Sequence, residues 1–250
     1  MKRFYLSPSL IAMAFLFALI SFGNCYAETP LHQAAEKNDV KTAERLIAQG
    51  ADVHAKDFTG STPLHKAAIN NSKETAELLI SKGANVNAKA DNGWTPLHWV
   101  ENNKETAELL ISKGADVNAK NKWGATPLHS TATHKDTAAL LLSKGAQVNG
   151  KDENGWTPLH LAVMRNSIEA AELFIKNGAN VNAKNNEGLT PLHIAAEKNF
   201  LESAKLLISK GADVNAKITN GWRKDATPLN IAESEGFTEM VNLLRRHGAK

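Results

Sequence analysis

The sequence is poor in the residue types that carry covalent chemistry. It has one cysteine, Cys25, and two tyrosines, Tyr5 and Tyr26, and all three precede residue 27. The rest of the chain therefore cannot form a disulfide and has no thiol nucleophile. It also has no Gly-x-Ser-x-Gly segment and no phosphate-binding glycine loop. These absences predict a protein that is not an enzyme and that needs no cofactor.

Strong net charge is also missing. The formal net charge is only +3 over 250 residues, and Lys2 and Arg3 supply two of those positive charges. A nearly neutral chain has no general attraction to nucleic acid or to a membrane surface. We therefore expect neither as a partner.

The chain begins with the layout of a secretory signal peptide. Lys2 and Arg3 precede an uninterrupted apolar run over residues 10–20, and a small-x-small exit follows at residues 25–27. This predicts cleavage after Ala27, a signal peptide over 1–27, one domain over 28–250, and a periplasmic or secreted location.

Two alternatives explain the same segment. A membrane anchor needs about 20 apolar residues, and this run has eleven. Lipid attachment at Cys25 is also less favoured, because such signals have a small residue where Asn24 stands. After cleavage we expect no membrane association.

A short phrase, Thr-Pro-Leu-His, recurs along the remaining chain. Successive threonines of this phrase are 33, 33, 31, 31, 33 and 37 residues apart. A fixed period near 33 predicts a stack of small units rather than one globular core. The phrases begin at Thr29, Thr62, Thr95, Thr126, Thr157 and Thr190, with a variant from Thr227 that ends in Asn230.

Each unit has the signals of two short helices. In the second unit, Thr62 can cap a helix and Pro63 suits its first position. Asn70-Asn71 interrupts this helix, and apolar residues at helical spacing predict a second helix over about 73–82. Gly83 then suits a left-handed helix end.

A loop completes the unit, with a hairpin turn signal at Asn92-Gly93. The Thr-Pro-Leu-His phrase, the Gly-Ala-x-Val-Asn-Ala-Lys phrase and the glycine two residues before five of the seven threonines together resemble the ankyrin repeat over the whole of 28–250. The resemblance implies an all-α solenoid of antiparallel helix pairs with projecting β-hairpin loops. It also implies protein binding on a concave face made of the loops and first helices.

The last unit departs from the others as a terminal repeat should. Arg245 stands where earlier units have isoleucine or leucine, so the last helix becomes polar where no further unit covers it. Asn230 replaces the histidine that, in the family, ties one repeat to its neighbour. We therefore expect the array to end here.

The repeated histidines and lysines each have two explanations. One histidine per repeat could bind metal, but repeats stack about 10 Å apart while zinc ligands must lie within about 2.1 Å of the ion. We therefore expect these histidines to bridge loop backbones, and no metal site. The lysine columns at the loop bases and beside the closing glycines could meet an acidic partner, but we favour a solubilising role. The histidines are His32, His65, His98, His129, His160 and His193, and the loop-base lysines are Lys56, Lys89, Lys120, Lys151, Lys184 and Lys217.

Tryptophan marks the predicted binding face, since it buries a large area at a low cost in entropy. Trp99 departs most from the repeat pattern, and packing against the adjacent loop is an equally good explanation for Trp94 and Trp156. The predicted partner-binding residues are Trp94, Trp99, Trp123, Trp156, Trp222 and Arg165.

Two irregularities accompany the tryptophans. The third and fourth repeats are each two residues shorter near the end of the first helix, and the last loop is four residues longer. The shortening predicts a notch beside Trp94, Trp99 and Trp123, although sequence drift also explains it.

The leading prediction is a monomeric, non-catalytic scaffold that binds a protein partner. The alternatives are a small-molecule or peptide-binding protein that uses the notch, and a secreted effector that acts on the proteins of a host cell.

Overall fold

The computed structural model describes residues 28–221 and 223–250, which form α-helices and one 3₁₀ turn without any strand. The predictions for residues 1–27 and for Trp222 lie outside these residues. The first helices of the seven repeats are α1 (Pro30–Glu36), α3 (Pro63–Ile69), the 3₁₀ turn η1 (Pro96–Trp99), α6 (Pro127–Ser130), α8 (Pro158–Met164), α10 (Pro191–Glu197) and α12 (Pro228–Ser234). The second helices are α2 (Val40–Ala48), α4 (Lys73–Ser81), α5 (Lys104–Ser112), α7 (Lys135–Ser143), α9 (Ile168–Lys176), α11 (Leu201–Ser209) and α13 (Thr238–Arg246).

The repeated phrase starts every first helix in the same way. In the second repeat, the extended Thr62 precedes Pro63, and the Nδ1 atom of His65 accepts the Thr62 N–H at 3.0 Å. Proline suits this position because its missing N–H would have had no partner inside the helix. The predicted helix starts are confirmed.

The helices form two layers. First helices pack on first helices, and second helices pack on second helices. The leucine of each Thr-Pro-Leu phrase is nearly or fully buried, and so is an alanine in most second helices. These small residues let neighbouring helices approach closely, so burial between repeats replaces a single central core. The alanines are Ala43, Ala76, Ala107, Ala138, Ala171 and Ala204.

The loops have the predicted hairpin turns but are too short for strands. In the loop before the third repeat, Ala90 N–H donates to Trp94 O at 2.9 Å, and one further bond joins adjacent tips, from Asp91 N to Thr59 O at 3.0 Å. Gly93 has φ of +78°, and a Cβ atom there would lie 2.8 Å from Lys122 N. Glycine is therefore required for adjacent tips to meet.

Asparagine side chains form a second row of ties between repeats, which the sequence analysis did not foresee. The side chain of Asn149 donates to Gly178 O at 2.9 Å and accepts from Asn180 N–H at 2.8 Å. Each such residue thereby satisfies a free carbonyl at the end of the next second helix. The row consists of Asn87, Asn118, Asn149, Asn182 and Asn215. The sequence signal for this row was an asparagine that recurs at the same position of successive loops.

The loop-base lysines also hold repeats together. Lys151 Nζ donates to Lys184 O at 2.7 Å, and Lys184 Nζ donates to Lys217 O at 3.1 Å. Lys56 and Lys89 make the same contact with the next lysine of the column. Four of these lysines therefore join neighbouring loops, which neither explanation of the column had anticipated.

The shortening of the third and fourth repeats is confirmed. Their first helices, η1 and α6, have four residues where the others have seven. The shortening removes a tie between repeats. In the second repeat, the left-handed Asn71 precedes the second helix, and its Oδ1 accepts from the Thr106 hydroxyl at 2.8 Å. In the third repeat no such asparagine faces Thr137, whose buried hydroxyl has no partner.

We expect Thr137→Val to stabilise the protein by about 1 kcal/mol, because it removes an unsatisfied buried hydroxyl without changing the side-chain shape. The matched control is Thr106→Val, at the same position of the preceding second helix, which breaks the bond to Asn71 and should destabilise by about 1 kcal/mol. Urea denaturation of both variants measures the difference. A loss of stability in both would contradict the assignment of Thr137.

The last repeat of the given sequence differs from the others at its helix start and in its second helix. Asn230 Oδ1 accepts from Thr227 N–H at 3.0 Å, so it caps the helix without making a bond to a further repeat. Arg245 is exposed and pairs with Glu233 at 2.7 Å. Within the residues that the structure describes, no helix is both long and apolar enough to cross a bilayer.

Candidate functional site

The inner face of the stack comprises the loops and the outward sides of the first helices. Three large apolar side chains are exposed in the described residues, and all three lie on this face. Phe58 and Trp123 lie in loops and are 71% and 53% exposed, while Ile69 ends α3 and is 44% exposed. Exposed apolar side chains gathered on one side are typical of an interaction surface.

Trp94 and Trp99 form an aromatic pair on the inner face. Their ring centroids are 4.4 Å apart with planes tilted by 45°, and Trp94 also lies 5.6 Å from the His98 ring. Both indole Nε1 groups are buried without a hydrogen-bond partner. The pair is thus held by packing alone, at the cost of two unsatisfied donors.

A recess lies on each side of this pair. One has a volume of about 390 Å³ and is lined by Glu36, Lys66, Ile69 and Trp99 among others. Each recess is large enough for one or two side chains of a partner.

The second recess, hereafter the central recess, has a volume of about 360 Å³ and corresponds to the predicted notch. It is lined by Trp94, Glu101, His129, Ser130, Ala132, Thr133, His134, Leu161 and Arg165. Six of these residues belong to the shortened third and fourth repeats, so the missing helical turns open this space.

The central recess carries two opposite charges. Glu101 and Arg165 are both exposed, and neither forms an ion pair with any described residue. Glu101 also has φ of +35°, in the left-handed region, where the longer repeats place asparagine. A glutamate in this conformation costs free energy that asparagine or glycine would avoid.

We expect Glu101→Gly to raise the free energy of unfolding by about 1 kcal/mol, since glycine adopts the left-handed conformation without a clash. Glu108→Gly, in the interior of α5, is the control and should lower stability by about 1 kcal/mol. Thermal denaturation of both variants would test this. Equal destabilisation by both substitutions would show that Glu101 is not strained.

The first recess is bordered by a buried carboxylate. Asp57 is fully buried and pairs with Lys66 Nζ at 3.1 Å. Burial alone would raise the pKa of Asp57, but hydrogen bonds from Thr59, Lys66 and the Ser61 N–H lower this pKa to about 2. Lys66 is therefore held in place and its charge is largely balanced.

The predicted binding residues do not form one cluster in the structure. Trp94 and Arg165 line the central recess, and Trp99, which lines the first recess, packs against Trp94. Trp156 is half-buried, and its ring lies 5.5 Å from that of His160 in its own repeat, while Trp123 is exposed at a loop tip. The sequence analysis missed Phe58 and Ile69, whose exposure depends on packing and gives no signal in the sequence.

The repeated histidines have the predicted bridging role. In each, Nδ1 accepts from its own threonine N–H, and Nε2 donates to a loop carbonyl of the next repeat, as from His65 to Trp94 O at 3.1 Å. Both ring nitrogens are therefore occupied. Burial lowers the pKa of His65, His98, His160 and His193 to about 4, and it also lowers that of His129. The described residues contain no group of three or more potential metal ligands.

Comparisons with known proteins agree with this geometry. A family model described as ankyrin repeats (three copies) matches the overlapping segments 31–121, 86–152, 100–185, 150–218 and 178–250. Among solved structures, the chain is similar to the ankyrin repeat domain of Bcl-3, described as a unique member of the IkappaB protein family. The two are 29% identical with a TM-score of 0.71, over 88% of this chain and 99% of that one. A search of curated proteins found no match.

Proposed function

This chain belongs to the ankyrin repeat family, whose members bind protein partners, and we propose that it is an exported, non-catalytic scaffold that binds a protein through its inner face. The observation that carries the proposal is the distribution of exposed apolar side chains. Phe58, Ile69 and Trp123 all lie on the inner face, and no large apolar side chain of the described second helices is exposed to the same extent.

The histidine geometry supports a non-catalytic role. The buried histidines are the most abundant groups with perturbed pKa values, and such groups often mark active sites. Here both ring nitrogens of each histidine make structural hydrogen bonds. In His98, Nδ1 accepts from Thr95 N–H and Nε2 donates to Ala125 O. The perturbation therefore has a structural cause and gives no argument for catalysis.

Export is the second part of the proposal. It is supported by the basic residues Lys2 and Arg3, the apolar run over 10–20 and the small residues that follow. Cell fractionation, with the mature N-terminus sequenced, would test cleavage after Ala27. Recovery from the periplasm, the medium or a host cell would separate a periplasmic scaffold from a secreted effector.

Capture of a partner by crosslinking from the exported fraction would test the binding face. Trp123 is exposed and makes no ring contact with another described residue, so Trp123→Ala should leave stability within about 0.5 kcal/mol of wild type and reduce capture. The control is Lys176→Ala, an exposed residue at the end of α9 in the other layer. Equal capture by Trp123→Ala, Phe58→Ala and Lys176→Ala would exclude the proposed face.

The central recess favours a more specific form of this function, in which the partner presents a short peptide segment. A protein that binds a peptide needs a concave site with a few polar groups beside apolar walls. The recess has this composition, with Trp94 and Leu161 as walls and Glu101 and Arg165 as charges.

A further inference from the structure

We infer that the central recess recognises an extended peptide segment with one basic and one acidic side chain on either side of an apolar one. In this arrangement the basic side chain pairs with Glu101, the acidic side chain pairs with Arg165, and the apolar side chain packs against Trp94 and Leu161. This inference rests on the proposed function, since it specifies the partner of the same face.

The first argument is the absence of internal compensation. Glu101 and Arg165 line the same recess, yet neither is paired with any described charged group. Two other charged groups of the inner face are paired within the protein, Lys66 with Asp57 at 3.1 Å and Arg223 with Glu235 at 3.0 Å. The central recess instead holds two opposite charges that have no ion pair with any described residue.

The second argument is the cost of placing Glu101 there. Its backbone is left-handed with φ of +35°, whereas Asn38, Asn71 and Asn166 occupy that conformation in longer repeats with φ of 53° to 54°. A residue that breaks a local rule at a cost in stability commonly serves function. No hydrogen bond or ion pair from a described residue to the Glu101 carboxylate offsets this cost.

The third argument is the apolar wall. The Trp94 ring is fixed against Trp99 at 4.4 Å, so a partner side chain meets a rigid surface and little entropy is lost on binding. Leu161 stands at the opposite side of the recess and is half-buried. Opposite charges on either side of an apolar contact also fix the direction of a bound peptide, because the reversed peptide would place like charges together.

The test is a selection of displayed random peptides of about twelve residues, long enough to span several repeats when extended. The selection is performed in parallel on the full chain, on Arg165→Glu and on Glu101→Lys. We expect the wild-type chain to enrich peptides with a basic, an apolar and an acidic residue. Arg165→Glu should replace the acidic preference by a basic one, and Glu101→Lys should do the converse. Lys176→Glu, the same change of charge on α9, should leave the enriched sequences unchanged.

A second measurement separates binding from folding. Glu101→Gly removes the carboxylate and is expected to stabilise the fold, so weaker binding by this variant cannot come from unfolding. We expect the best wild-type peptide to bind it at least tenfold more weakly by isothermal titration calorimetry.

The outcomes distinguish the inference from the proposed function. If the charge-reversed chains enrich the same peptides as wild type, or if Glu101→Gly binds as tightly, the inference is wrong. The proposed function would still stand in that case, provided that the enriched peptides lose affinity for Trp99→Leu. Failure to enrich any peptide that depends on the inner face would overturn both.

Discussion

Lowering the pH from 7 to 4 is expected to unfold this protein, and the repeated histidines are the cause. The pKa values of His65, His98, His160 and His193 are about 4 in the folded chain, against 6.5 for an ordinary histidine. Burial is the largest cause, because the neutral ring is preferred where water is excluded.

The direction of the effect follows from proton binding. Between pH 6.5 and 4 the unfolded chain binds a proton at each of these histidines and the folded chain does not. The stability that they contribute is therefore complete above pH 6.5 and is lost as the pH falls toward 4. A difference of about 2.5 pKa units corresponds to about 3 kcal/mol per histidine. Four such residues together correspond to about 12 kcal/mol, which is comparable to a typical folding free energy of about 5–15 kcal/mol. We therefore expect unfolding to precede full titration.

Urea midpoints measured at steps between pH 7.5 and 4 would check this. In His160→Asn the pH slope should fall by one proton, because Asn230 shows that asparagine caps the same helix position without titrating. His54→Asn is the control, since His54 is exposed and takes no part in the row. A midpoint that stays constant down to pH 4.5 would contradict the assigned cause.

The Asp57 carboxylate affects stability in a lower pH range than the histidines do. The pKa of Asp57 is lowered to about 2, so its contribution is present above pH 4 and is lost only between about 4 and 2. Asp57→Asn should therefore leave the dependence of stability on pH unchanged between pH 6.5 and 5. Near pH 4 it should also affect His65, because the Asp57 charge raises the pKa of that histidine.

Most of the fold could be predicted because the sequence repeats its local signals. Thr62, Pro63 and the Nδ1 atom of His65 act within one turn of helix, so these roles follow from local spacing. The same holds for Asn230, whose Oδ1 accepts from Thr227 N–H within its own turn. The bond from His65 Nε2 to Trp94 O reaches the next loop. The hydrogen bonds between repeats were harder to predict, because they join residues that are far apart in sequence. The Asn149 side chain, for example, donates to Gly178 O, 29 residues away.

The candidate site could be predicted only in part. The position of the notch could be predicted, because the third and fourth repeats each lack two residues near the end of the first helix. The sequence could not show that Trp99 packs against Trp94 while Trp156 packs beside its own histidine, since Trp99 and Trp156 have the same side chain and differ only in their surroundings. The left-handed conformation of Glu101 was also hidden, because the shortened turn moves that conformation away from the asparagine position.

Trp99→Leu is expected to weaken partner binding by about thirtyfold while leaving the fold intact. Leucine is already present at the equivalent position of the fifth repeat, Leu161, where it is half-buried in the same layer. The substitution also removes the buried Nε1 group that has no partner, which offsets part of the lost packing. Stability should therefore change by only about 1 kcal/mol.

The binding loss has a separate origin. Without the second indole, Trp94 loses the ring that fixes it at 4.4 Å, so the wall of the central recess becomes mobile. A central, rigid tryptophan contributes about 2 kcal/mol or more at a protein interface, which corresponds to the thirtyfold change. Fluorescence titration with a peptide selected on the full chain, alongside thermal denaturation, would measure both quantities.

Leu161→Ala, which shortens the other apolar wall of the recess, should reduce affinity additively with Trp99→Leu if the two walls act independently. The double variant would reveal any coupling between them. Unchanged affinity in Trp99→Leu would mean that the aromatic pair stabilises the shortened repeats and takes no part in recognition.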